Sequence, residues 1–112
     1  MISTNFKVEN PVQNPHGVDV RQLYNHDSAQ VMHITLQPGE TLKPHKTPVD
    51  VFFYILEGST TVHIGDESHV FERDSLIESP ANIVHYLSNE SQSVTRILVT
   101  KAPRPTNPTK VL

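Results

Sequence analysis

Seven histidines in a 112-residue chain that has no cysteine limit the reactive side chains mainly to imidazoles and carboxylates. Imidazole ligates metals and moves protons near neutral pH. The missing thiol excludes a disulfide framework, a thiolate zinc site and a cysteine nucleophile. His45 begins the stretch HKTPVDVFFYILEG and leads into a β-branched and aromatic run, so it marks either the lip of a metal site or a plain sheet edge. The other histidines have plainer settings. His33 alternates with Met32 and Ile34, and His63 lies between Val62 and Ile64, which turns both outward. His69 sits in a hairpin, and His16 and His26 in loop-like stretches, so all of these are expected at solvent or at an interface. Glu57 and Glu78, at strand ends, and Arg96, on the last strand, are expected to be solvated. The chain contains no glycine-rich phosphate loop, no G-x-S-x-G elbow and no H-E-x-x-H.

The elements that must position these side chains are strands. Apolar residues recur with period two or in short runs, and turn residues interrupt them at regular intervals, the pattern of an all-β sandwich or barrel. The pattern predicts strands over residues 18–24, 29–37, 51–57, 60–64, 68–72, 75–79, 84–87 and 93–101. Alternation sends Met32, Ile34 and Leu36 to the core. In VFFYIL both faces are apolar: Val51, Phe53 and Ile55 form one row, and Phe52, Tyr54 and Leu56 the other. A strand of this kind is covered on both sides, by the barrel interior and by a second copy of the chain or its own N-terminal segment.

One domain is expected over residues 1–112, with a core over about 18–101, an N-terminal arm over 1–17 and a proline-rich extended tail over 102–112. The net charge of −3 comes from scattered residues, which disfavours nucleic acid or a membrane surface as the partner. No apolar run is long enough to span a bilayer, and a cytoplasmic protein is the expectation.

Gly39, His45 and Gly58, followed by Pro80, His85 and Asn89, resemble in spacing the two motifs of the cupin superfamily, across about residues 32–99. The resemblance implies a double-stranded β-helix, a jelly-roll barrel of two antiparallel sheets with its site at the barrel mouth. The family's metal ligands map onto His45, Thr47, Val51 and His85, so only two imidazoles remain. Two imidazoles leave the rest of a metal's coordination shell to water, and the implied cofactor is at most a weakly held divalent transition metal. Asp50 precedes Val51 by one residue and should face the other way. Asn82 stands where the family has glycine and tolerates the same left-handed backbone.

Three functions follow from this resemblance and from the apolar faces of residues 51–56. The first is a small-molecule pocket around His45 and His85, lined by Met32, Ile34, Val51, Phe53 and Ile55. The second is an enzyme such as an isomerase or dioxygenase, using a weakly held metal or the two imidazoles as an acid–base pair. The third is a structural homodimer.

Overall fold

A computed structural model describes residues 1–107 and 110–112. In chain order its strands are β1 (Asp19–His26), β2 (Ala29–Leu36), β3 (His45–Lys46), β4 (Asp50–Glu57), β5 (Ser59–Ile64), β6 (Glu67–Glu72), β7 (Leu76–Ser79), β8 (His85–Ser88), β9 (Thr95–Ala102) and β10 (Lys110–Val111). They form two antiparallel five-stranded sheets, ordered β1-β2-β9-β4-β7 and β10-β3-β8-β5-β6. The described residues include no helix, and so none long and apolar enough to cross a membrane. The all-β double sheet is the expected architecture, and each expected strand is present with its ends shifted by at most two residues. The two strands not foreseen, β3 and β10, span two residues each, too short to carry a period.

Alternation decides what is buried. Phe53 and Ile55 of β4 lie opposite Val99 and Ile97 of β9, and Ile34 of β2 lies on the other side of Ile97. These residues join Val20, Leu36, Leu42, Val51, Val62 and Leu87 in one core between the sheets. The outer row Phe52, Tyr54 and Leu56 is half-buried.

Both chain ends lie on the barrel. The radius of gyration is 13.2 Å, the value a compact unit of this length has. In the tail, β10 pairs with β3, and Leu112 donates to the Pro44 carbonyl at 3.0 Å. The last residues of this extended tail thus add a two-residue strand to a sheet edge; Pro108 and Thr109 lie outside the described residues. In the arm, Phe6 stacks on the His33 ring at 4.3 Å, and the Arg96 guanidinium lies 4.4 Å from the Phe6 centroid. Arg21 donates to the Phe6 and Glu9 carbonyls. His33 thus faces outward, as alternation requires, yet is only 1% exposed. Arg96 also departs from expectation: half-buried, it donates to His33 Nε2 at 3.0 Å and pairs at 3.2 Å with Glu57, which is exposed as expected. They fasten the arm to the outer sheet face.

Three turns hold the strands that carry the two motif histidines. Gly58 has φ of 74°, and a Cβ there would lie 2.5 Å from the Val94 carbonyl oxygen, so no other residue fits. Asn82 adopts φ of 63°, the left-handed conformation expected of it. Its N–H donates to the Thr47 carbonyl at 2.9 Å, while Ala81 N–H donates to Asp50 Oδ1 at 2.9 Å. Asp50 is exposed and serves this turn. Asn89, 1% exposed, donates to the Leu36 and Ser93 carbonyls and accepts from Ser91 N–H and Oγ–H, which satisfies its buried amide completely.

Candidate functional site

β3 and β8 set His45 directly opposite His85 in the ladder, with ring centroids 4.6 Å apart and planes at 75°. Both rings are buried. His85 is held at each nitrogen: Ser79 Oγ lies 2.6 Å from Nδ1 and Thr47 Oγ1 lies 3.3 Å from Nε2. The Phe53 ring meets it edge-on at 5.3 Å. Burial, with a smaller repulsion from His45 and Lys101, lowers its pKa to about 3, so the ring is neutral at neutral pH.

A cavity of about 310 Å³ opens beside His45. Its apolar wall is Val20, Met32, Ile34, Leu42, Phe53 and Val99, and its polar edge is His16, His45 and Lys101, closed by residues 12–15 of the arm and by Val111. No acidic side chain is among the described residues lining it. Of the residues anticipated for the pocket, Met32, Ile34, Phe53 and His45 line this cavity; Val51, Ile55 and His85 do not. Ile55 sits deeper, fully buried opposite Ile97, and His85 lies behind His45. Val51 lines a separate cleft with Phe52 and Ser79.

Two residues at the polar edge were not singled out by sequence reasoning. Lys101 continues the inward row Ile97, Val99 of β9, so strict alternation would have found it. His16, expected at solvent or an interface, is instead half-buried in the cavity wall, its centroid 5.0 Å from that of His45. It arrives there because Asn14 folds the arm back: its Nδ2 donates to the Val12 and Val18 carbonyls, and its Oδ1 accepts from His16 N–H. Burial, assisted by His45, Lys43 and Lys101, lowers the His16 pKa to about 4. Burial likewise lowers the pKa values of His45 and Lys101.

This donor set does not fit a tightly held metal. The described residues contain no group of three His, Cys, Asp or Glu side chains placed to hold an ion. Thr47 offers a neutral hydroxyl, Val51 offers nothing, and His85 Nε2 already faces Thr47. A divalent ion usually takes three or four protein ligands. Tag-free protein dialysed against a chelator and then against trace transition metals is expected to retain well under one ion per chain by elemental analysis. Stoichiometric retention would contradict this.

Comparison with known proteins places the chain. The Cupin domain family model matches residues 32–101. The chain belongs to the cupin family. This cupin is 29% identical over 87 residues to protein MJ0764 of Methanocaldococcus jannaschii, covering 77% of its own length and 75% of the relative's. It is 32% identical over 77 residues to the tetracenomycin polyketide synthase protein TcmJ of Streptomyces glaucescens, covering 65% of this chain and 52% of that protein. The structure of the polyketide cyclase RemF from Streptomyces resistomycificus superposes with a TM-score of 0.84 at 18% identity, covering 100% of this cupin and 85% of RemF, a likeness of fold.

Proposed function

We propose that this cupin binds a compact, largely apolar small molecule of about two rings, with its polar end against His16, His45 and Lys101. The carrying observation is the cavity itself, with an apolar wall on one side and nitrogen groups on the other. An apolar cavity of ~150 Å³ accepts benzene, so one of about 310 Å³ suits a two-ring compound. The resemblance to a polyketide synthase protein supports a polyketide as the ligand class. The test is a thermal-shift panel of naphthols, tetralones and naphthoates against monosaccharides and amino acids. Ring compounds should raise the melting temperature, since a ligand selective for the native state stabilises it. Met32→Trp, which fills the cavity, should remove the response. A panel with no response from the ring compounds overturns the proposal.

A second reading concerns the partner. The outer residues Phe52 and Tyr54 lie opposite Thr100 and Leu98 of β9, and opposite Glu78 and Leu76 of β7, and Leu76 is 53% exposed. An apolar sheet face of this kind supports a homodimer. Light scattering is expected to give a dimer mass, and Tyr54→Glu, which places a charge in that face, a monomer. A monomeric wild type would remove this reading.

A further inference from the structure

The backbone of one residue fixes the proton positions on two neighbouring imidazoles. Lys43 N–H donates to His16 Nδ1 at 2.8 Å, so neutral His16 carries its proton on Nε2. The Lys43 carbonyl lies 2.7 Å from His45 Nδ1 and accepts that ring's proton, which leaves the lone pair on His45 Nε2. Both rings line the same cavity, their centroids 5.0 Å apart, and the Nε2 of one carries a proton while that of the other carries a lone pair. His85, fixed by Ser79 and Thr47, stands edge-on behind His45. The Lys101 side chain lines the cavity with them, opposite its apolar wall.

We propose that the site catalyses proton transfer at the carbon beside the carbonyl group of a compact apolar ketone, with His45 Nε2 as base and His16 Nε2–H as donor to the carbonyl oxygen. The proposal rests on the ligand pocket described above and adds a reaction to it. The α C–H bond breaks and its proton goes to His45 Nε2. The electron pair moves into the carbon–carbon bond and displaces the carbonyl π pair onto oxygen. The resulting enolate accepts the His16 hydrogen bond, and the His45 imidazolium and the Lys101 side chain balance its charge. Return of a proton from His45 to carbon restores the ketone and the resting imidazole. When solvent has exchanged the proton, the net change is isotope exchange; when carbon is protonated at a different position of a conjugated system, it is double-bond migration. Neither outcome consumes an oxidant or a reductant.

β-Tetralone in deuterium oxide is the probe, with the full chain in a chelator-containing buffer at neutral pH and deuterium at the benzylic carbon followed by proton NMR. A positioned base contributes about 10²–10⁴-fold. The wild type is therefore expected to exceed free imidazole at matched concentration by at least about 100-fold. His45→Gln should lose this acceleration while β-tetralone still raises its melting temperature. His16→Phe should lose part of it, and His16→Gln, which keeps an N–H donor, should retain more. Exchange no faster than with free imidazole, in wild-type protein that β-tetralone stabilises, overturns the catalytic proposal and leaves the pocket standing; this comparison needs no variant to fold. Exchange without acceleration, in a protein that no ring compound stabilises, overturns both.

Discussion

Between pH 6.5 and about 4, in chelator-containing buffer, the protein is expected to lose on the order of 3 kcal/mol of stability through His85 alone. In the unfolded chain this imidazole takes up a proton near pH 6.5, whereas the folded ring does not until about pH 3. Throughout that interval the unfolded state binds more protons, so stability falls as pH falls; above 6.5 both states are neutral and the contribution is complete. His16 acts in the same direction down to about pH 4. The cause is visible in the fold: the His85 ring is 2% exposed, wedged between His45 and Phe53, and bonded to two neutral hydroxyls with no carboxylate to receive a charge. Urea denaturation across this pH range, compared with His85→Gln, measures the effect. The variant should be less stable at neutral pH but less dependent on pH, so that the two curves converge on acidification. Parallel curves would mean that His85 is not the group responsible.

The second large effect is expected at Phe53. Truncation to alanine removes a ring that is 2% exposed, packs between Val99 and Ile77 in its cross-strand row, and forms both the cavity wall and the edge contact to His85. Phe53→Ala should cost about 3–5 kcal/mol in urea denaturation. It should also enlarge the cavity, so that the ring compounds which stabilise the wild type stabilise the variant less. The control is Val70→Ala at a position 62% exposed, which should change stability by no more than about 0.5 kcal/mol. A Phe53 cost as small as the control's would show that the barrel interior is not packed as described.

These effects also divide what was readable in the chain from what was not. Strands β1, β2 and β4 to β9 were legible because side-chain direction in a strand alternates residue by residue, so the inward rows of β2 and β4 follow from their own letters. Asn82 was legible because a left-handed backbone is tolerated by few residue types, and Gly58 through its place in the motif spacing. The cross-strand meeting of His45 and His85, though forty residues separate them, came through the motif spacing as a resemblance. His16 was misjudged, since nothing around it has a period and its place depends on Asn14 folding the arm and on the backbone of Lys43, 27 residues away. The burial of His33 and Arg96 depends on Phe6 in the same way. Backbone preference and strand period are written in adjacent residues. Which side chains share a cavity, and where their protons sit, depends on segments far apart in the chain that meet only when the barrel closes.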